Sequence, residues 1–464
     1  MRKTLLIGLI VLFAGALGAW IAVRQTLGSD MVRVALERQL ADRLDQPVHI
    51  GSATASLFQR VAVDLHDVAI GQPPSVQVGR LQVVTGARGL FSRRIANAEL
   101  IVTDSQVAWP LPFSLVPAAP ATAPAAPPAL TVTSVRRIVF RNVTLVTGLP
   151  PIVLDLDASL DGDRLTIGGL KARSGKTRLE ASGVLTSLAR LEGRLDVKGD
   201  LAFAGYGVNA LAATIAVAPD RLTLSPLAFR VSGGTFDGGL DVDIHGKVPR
   251  LQLNGRAAAI DVSELMKGTG SPGSITGRLG ARVSASSFGS DAATLLRGAR
   301  GTIAATIADG TLPHLDMVRP IVLAFGKPSG VPPPGSGSTF STLGGTFALA
   351  NGTLTTDSLS LVSRDFNLAG RGLLNIDTGA VNVHADAVLS RELTAQSGTD
   401  LRRYALVDGR VILPVAITGT LNHPAVFADL AAATRRALGN ELRRRATDFL
   451  GGLFKKKTIP PSER

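Results

Sequence analysis

Residues 191–203 read LEGRLDVKGDLAF, and their reading decides the fold. Leu191, Gly193, Leu195, Val197, Gly199, Leu201 and Phe203 take one set of alternate positions. Glu192, Arg194, Asp196, Lys198 and Asp200 take the other. Side chains of a strand leave on opposite faces in turn, so this period of two writes a strand with one apolar and one charged face. A helix would need apolar residues three and four apart. One wet face points to antiparallel pairing, because parallel strands are covered on both sides and read as unbroken apolar runs. Leu240, Val242 and Ile244, set against Asp241, Asp243 and His245, repeat the pattern.

Working outward, the chain repeats itself. Leu165-Thr166, Leu170, Leu179 and Gly183 form one unit. Leu222-Thr223, Leu227 and Phe236 form a second, with Gly239 one place early, and Leu354-Thr355, Leu359, Leu368 and Gly372 form a third. A shorter echo pairs VDLHDVAI (63–70) with IVFRNVTL (138–145). These are expected to be β-meander units laid side by side, the alternative being chance similarity among Leu- and Gly-rich strands. The composition agrees: 464 residues carry 50 Gly, 16 Phe, 2 Trp, 2 Tyr and no Cys. Short aliphatic runs punctuated by Gly, Asn, Asp and Ser belong to strands and turns. The absence of Cys excludes disulfides and thiolate metal sites.

Helical pattern is confined to few places. Ser29 or Asp30 can cap a helix running to Leu44, with Leu36, Leu40 and Leu44 on one stripe. Short helices are expected near 261–266 and 291–297. The Pro/Ala-rich segment 110–130 cannot join a sheet interior, and GVPPPGSGS (330–338) is a second expected loop.

Residues 4–23, TLLIGLIVLFAGALGAWIAV, form an uncharged run long enough to span a bilayer. Arg2 and Lys3 place the N-terminus in the cytoplasm, with Trp20 and Arg24 at the far interface. Ala14-Gly15-Ala16 has the look of a cleavage site, but apolar sequence continues past it through Val23, which favours an uncleaved anchor. Either reading exports the rest of the chain. The formal charge of +13 suggests nucleic acid at first, yet much of it collects at the C-terminus. From Arg435 onward nine basic residues face three acidic ones. Leu430, Leu438, Leu442, Phe449 and Leu453 recur there at helical spacing among Arg435, Arg436, Arg443, Arg444 and Arg445. A basic amphipathic helix suits an anionic membrane surface or a protein partner, or it caps the open end of the sheet. No stacking motif or zinc-finger spacing accompanies it, so nucleic acid is not an expected partner.

A sheet with one apolar face must cover that face. With no helical layer available, it closes as a sandwich, winds as a solenoid, or curls into a trough filled by an apolar ligand. Acyl chains suit a trough, since they ask for continuous apolar surface and no directed polar groups. At a strand spacing of about 4.8 Å, some 20 to 28 strands would make a trough on the order of 100 Å long. Its candidate lining residues are Leu195, Val197, Leu201, Phe203, Leu222, Leu224, Leu227, Leu240, Val242, Ile244, Leu251 and Leu253. Candidate membrane-surface contacts are Trp20, Arg24, Arg435, Arg436, Arg443 and Arg444.

The catalytic signals are weak. Gly175-Lys176-Thr177 has the end of a phosphate-binding loop, but the glycine it needs at 170 is Leu. Ser232-Gly233-Gly234-Thr235 holds the same place in the next repeat, which makes both a strand-connecting turn. Gly268-Thr269-Gly270-Ser271-Pro272-Gly273 fits the dinucleotide fingerprint by count only, since it follows a helix instead of a strand. His49, His66, His245, His314, His384 and His423 are scattered without metal-ligand spacing. There is no G-x-S-x-G elbow. The expectation is a protein that is not an enzyme and needs no cofactor or metal.

Several stretches together resemble the AsmA family of Gram-negative envelope proteins. At the N-terminus these are QPVHIG (46–51) and VDLHDVAIG (63–71), the latter similar also to the chorein-type opening of bridge-like lipid-transfer proteins. Further along come IDVSELM (260–266), residues 275–312, residues 344–376 and LPVAITGTLNHP (413–424). The resemblance implies a single-pass bacterial inner-membrane protein with a periplasmic β-trough that moves phospholipid and contributes to outer-membrane assembly. It supplies no catalytic residues. The runner-up is a non-conducting scaffold that modulates outer-membrane protein assembly, and the implied partners are phospholipid, the inner membrane, and the outer membrane or an envelope protein. On this reading the chain divides into a cytoplasmic tip (1–3), an anchor (4–23) and an N-terminal chorein-like module (24–109). The linker (110–130), the repetitive trough (131–428) and the basic helix and tail (429–464) follow. The expected fold is mainly β: a transmembrane helix, then an elongated antiparallel sheet curled into a half-barrel, with short helices at both ends.

Overall fold

The computed structural model describes residues 29–56, 60–86, 94–109, 111, 131–147, 150–203, 205–246, 248–267, 271–289, 291–316, 337–396, 405–428 and 435. The expected anchor at 4–23, most of the 110–130 linker and most of the basic C-terminal segment lie outside them. Among the described residues no helix is long and apolar enough to cross a membrane. The protein is mainly β, with 24 strands and four helices in the described residues. They divide between two compact units, one within Met1–Phe203, Gly207–Phe229 and Asp241–His245, the other within Ala204–Tyr206, Arg230–Leu240 and Gly246–Arg464.

The first unit opens with helix α1 (Ser29–Leu44), already helical where the description begins. Strands β1 (Val48–Ser56), β2 (Arg60–Ile70) and β3 (Val76–Gly86) follow, then β4 (Arg94–Ile95), β5 (Ala98–Ala108), β6 (Thr131–Val132) and β7 (Ser134–Val146). Next come β8 (Ile152–Asp161), β9 (Arg164–Ser174), β10 (Thr177–Ser187) and β11 (Glu192–Phe203). Most of β12 (Tyr206–Ala218) and β13 (Arg221–Val231) and the end of β14 (Gly234–Asp243) complete it. Pairing is antiparallel from β1 through β3 to β5, and again from β7 through β11. Between the two runs the expectation of an all-antiparallel sheet fails, because β5 and β7 pair in parallel, Leu100 opposite Ile138 and Val107 opposite Leu145. The short β4 and β6 are parallel as well. Parallel neighbours need a long crossover, which is the topological reason for the Pro/Ala segment between β5 and β7.

The core of this unit forms where α1 meets the sheet. Leu36, Leu40 and Leu44, all nearly inaccessible, lie in one cluster with Ile50, Val63, Leu65, Val68, Leu81, Val83 and Leu100. Each such Leu contributes roughly 1.5–3 kcal/mol by leaving water. Glu37 ties the helix to the sheet, its Oε1 accepting from the Ile50 N–H at 2.7 Å and from Arg33 at 3.0 Å.

The second unit holds β15 (Arg250–Asp261), α2 (Val262–Met266), β16 (Arg278–Phe288), α3 (Ala292–Gly298) and β17 (Arg300–Leu312). After it come β18 (Ser338–Ala350), β19 (Thr353–Val362), β20 (Phe366–Asn375) and β21 (Ala380–Leu389). Helix α4 (Arg391–Gln396) and strands β22 (Leu406–Val407), β23 (Arg410–Thr420) and β24 (Pro424–Ala428) close it. Strands β15 to β21 pair antiparallel in sequence order, and β23 joins β21 to β24. The two short helices expected from sequence are α2 and α3. Asp261 caps the first by accepting from the Ser263 and Glu264 N–H groups, and Asp291 accepts from the Thr294 N–H at 2.9 Å. Helix α4 was not expected. Ser338, expected in a loop, is the buried first residue of β18. A second core gathers Phe340, Leu361, Phe366, Leu368, Ala387, Leu389, Val411 and Leu413.

The repeats are hairpins. Two of the three units coincide with β9–β10 and β19–β20, each antiparallel, and the Ser174–Thr177 stretch that carries Gly175-Lys176 is the turn of the first. Gly175 has φ +56° there. Asn351 and Gly352, at φ 51° and 71°, form the tight turn between β18 and β19, a geometry that Asn-Gly adopts readily.

Candidate functional site: a half-open apolar sheet face

In each unit the cross-strand registers line the apolar residues up in rows. In the first unit Leu154, Ala172, Leu179 and Gly199 face one another across β8 to β11. The next row is Leu156, Leu170, Ala181 and Val197. All eight are half-buried, and none carries a polar side chain. Of the residues between them on the other face, Lys171, Glu180 and Lys198 are exposed and Asp155 is half-buried. Two rows further along, Ala158 and Ile167, then Leu160 and Leu165, are fully buried. The same face is therefore closed by packing at one end of these strands and half-open at the other.

The second unit has the same construction. One row runs Leu253, Ala285, Gly301, Leu349, Leu354, Leu374 and Val381 across seven strands, all half-buried. Gly255, Val283, Ile303 and Phe347 form a neighbour. Toward the other strand ends the row Leu279, Ile307, Leu343, Leu361, Leu368, Ala387 and Leu413 passes from half-buried to buried as it enters the core. Gly301 in the first row has no room for a side chain, since a Cβ would lie 2.1 Å from the Ser284 carbonyl oxygen.

Small residues dent both faces. In the first unit a hollow of about 580 Å³ takes Ala181, Val197 and Ala213, each with both chain neighbours. Its counterpart in the second unit, about 540 Å³, takes Ala281 and Ala305 with theirs, and Ala257 and Gly345. Charged residues border both hollows, Lys171, Glu180, Asp196 and Lys198 the first and Arg256 and Arg282 the second. The apolar rows themselves offer dispersion and exclusion of water, and their side chains carry no proton donor, acceptor or nucleophile.

The sequence candidates fall on this face unevenly. Leu195, Val197 and Leu201 are half-buried on β11, and Leu222 and Leu224 are half-buried on β13, while Leu227 is buried. Leu240, Val242, Leu251 and Leu253 are half-buried as well. Ile244, past the end of β14, is 41% exposed. The Phe203 side chain, and Trp20, Arg24, Arg436, Arg443 and Arg444, lie outside the description; Arg435 is an exposed helical residue. Residues 301–307, GTIAATI, alternate as clearly as 191–203, so Ile303 and Ile307 were within reach of the same reading. His384 is exposed and Asp386 half-buried on the outward side of β21, with buried Ala385 between them. Among the described residues no three of His, Asp or Glu come together in a way that could hold a metal ion.

Residues 201–359, from the end of β11 into β19, match the model of the AsmA family. The chain carries an AsmA-family segment there, and the resemblance read from its sequence is borne out over that stretch. No curated protein and no solved structure matches the chain.

Proposed function

We propose that this protein holds or passes phospholipid, its acyl chains lying along the half-open apolar faces of the two units. The observation that carries the reading is the row from Leu253 to Val381: seven consecutive strands contribute only Leu, Ala, Gly and Val, and all remain half-buried. A row left uncovered in water is unfavourable by about 25 cal/mol per Å² of apolar surface, which an acyl chain recovers on binding. The AsmA-family segment supports the same reading. With it goes the rest of the proposal: a single-pass tether in a bacterial inner membrane through residues 4–23, the β units in the periplasm, and a contribution to outer-membrane lipid homeostasis and assembly. The action is non-catalytic and calls for no cofactor.

A scaffold reading draws on a different observation. At β1 to β7, and at one end of β20 to β23, the apolar face is filled by the protein's own side chains. Native mass spectrometry of the purified full chain separates the two. Co-purifying phospholipid, lost when Leu195, Leu224 and Leu253 are replaced by Asp in a protein that still unfolds cooperatively, is the expected result. A folded wild-type protein free of lipid would leave the scaffold standing.

A further inference from the structure

The outward face of the second unit differs in charge from that of the first. In the first unit basic side chains on the sheet meet acids: Arg141 reaches Asp157 and Arg173 reaches Asp155, both at 2.8 Å, and Glu180 lies between Lys171 and Lys198. Residues 250–258, 280–288, 300–308 and 338–350 of the second unit contain no Asp or Glu. Their charged residues are Arg250, Arg256, Arg282 and Arg300, all exposed. Among the described residues none of the four has an ion pair or a side-chain hydrogen bond. Arg256 stands directly opposite Arg282 on β15 and β16, a like-charge pairing that a single flanking carboxylate, Asp237 on β14, offsets only in part. Around them the outward positions on β15 to β17 include the neutral Asn254, Ser284, Ser286 and Thr302, and the one acid beside them is the exposed Asp237 of β14, next to Arg256. At the strand ends, opposite Arg250, Phe288 shares this face and is 52% exposed, with Val248 nearby in sequence at 48%.

We propose that this face, Arg250, Arg256, Arg282 and Arg300 with Phe288 at its margin, docks on an anionic phospholipid bilayer. Spread guanidinium groups over neutral hydroxyls match a plane of phosphates, and an exposed aromatic at the margin matches the headgroup level of a membrane. An acidic protein would complement the charge but gives no account of the exposed phenyl ring. The surface is opposite in parity to the acyl-binding rows, although Arg256 and Arg282 also border the hollow of the second unit.

The test uses the full chain in phosphatidylcholine nanodiscs, mixed with vesicles of phosphatidylcholine alone or with added phosphatidylglycerol and separated by flotation. Capture of the anionic vesicles, weakened by salt and lowered roughly thirtyfold in R256S/R282S, is expected from the usual contribution of a basic residue near an anionic surface. R141S/R173S removes the same charge from the first unit, and should leave capture within about twofold. Phe288→Ser should weaken capture with no change in charge. Equal losses in the two double variants would mean that net charge alone drives capture, and would overturn the proposal. So would capture indifferent to phosphatidylglycerol, or unchanged capture in R256S/R282S, the result an acidic protein partner predicts. Lipid retention on the apolar face should be unchanged in R250S/R300S, whose arginines lie outside both hollows, while vesicle capture should fall, so failure of this proposal leaves the acyl-binding reading untouched.

Discussion

Asp67, Asp104 and Asn142 hold the left-handed conformation, at φ 54°, 50° and 54°, each in the middle of a strand. At each the inward series skips a residue, from Leu65 to Val68, from Val102 to Ser105 and from Phe140 to Val143. A bulge absorbs the extra residue, and Asp or Asn tolerates the left-handed region better than a branched side chain. The echo between 63–70 and 138–145 is this bulge written twice, with Asp67 and Asn142 in equivalent places. LIVTDSQV (100–107) writes it a third time, and its Asp104 accepts from Asn142 Nδ2 at 2.8 Å. The repeat was legible in sequence, but its cause was not, because an αL residue leaves only an apolar spacing of three as its trace. Asp67→Val should therefore destabilise by about 1–2 kcal/mol, whereas Asp67→Gly should stay within a few tenths, as read from urea midpoints. Asp261 is a second residue-scale case. Its hydrogen bond from Ser263 holds its carboxyl below the ordinary carboxylate range, with further help from the Glu264 and Ser263 N–H groups. A folded value lower than the unfolded one means stabilisation that is complete above the unfolded pKa, near 4, and fades as pH falls through the folded value. Asp261→Ala should lose about 1 kcal/mol at neutral pH, with Asp261→Asn closer to wild type. In acid the gap between wild type and Asp261→Ala should narrow, and a gap constant with pH would rule out the cap.

At the scale of elements, alternation identified the strands and their faces but not every pairing. The sheet of the first unit turns on one parallel contact between β5 and β7, and no residue in either strand announces it. Both strands alternate like their antiparallel neighbours. The signal lay in the connection instead: a Pro/Ala stretch too long for a hairpin between two strands that each need a partner. Helix α4 went unread for a related reason, since RELTAQ is too short to show a helical period. The bulges also constrain the neighbouring strand. Gly79 on β3 faces the Asp104 bulge of β5, and a Cβ there would lie 2.6 Å from the Asp104 carbonyl oxygen. Backbone has little freedom to retreat within a sheet. Gly79→Ala should lower stability by about 1–3 kcal/mol, the usual range for forcing extra atoms into a packed site. A compensating Asp104 deletion, which removes the bulge, should recover part of that loss. Thermal melts of the single and double variants would show it, and additive losses would refute the steric account.

At the scale of the whole molecule, one chemical pattern serves two purposes, and cover decides which. Val63 and Val197 are the same residue on the apolar parity of their strands. Val63 is 3% exposed, within the cluster that α1 shares with β1 to β9. Val197 is half-buried beside Leu156, Leu170 and Ala181, and lines the hollow of the first unit. Sequence gave both the same reading, because periodicity reports which face a side chain takes and says nothing of what lies over it. A charge distinguishes them. Val63→Asp places an unpaired carboxylate in a filled core and should destabilise by more than about 4 kcal/mol, enough to abolish cooperative unfolding. Val197→Asp can hydrate at a half-open surface and should cost about 1–2 kcal/mol while the protein stays folded. Acyl binding should respond in the reverse sense, because only the half-open rows are free to hold a chain. Each unit carries its own such rows, so Val197→Asp should remove part of the bound phospholipid and Ile303→Asp another part. The double variant should remove nearly all of it, counted by native mass spectrometry. Full retention in the folded double variant would place the lipid elsewhere, and the rows would then be uncovered surface awaiting a protein partner.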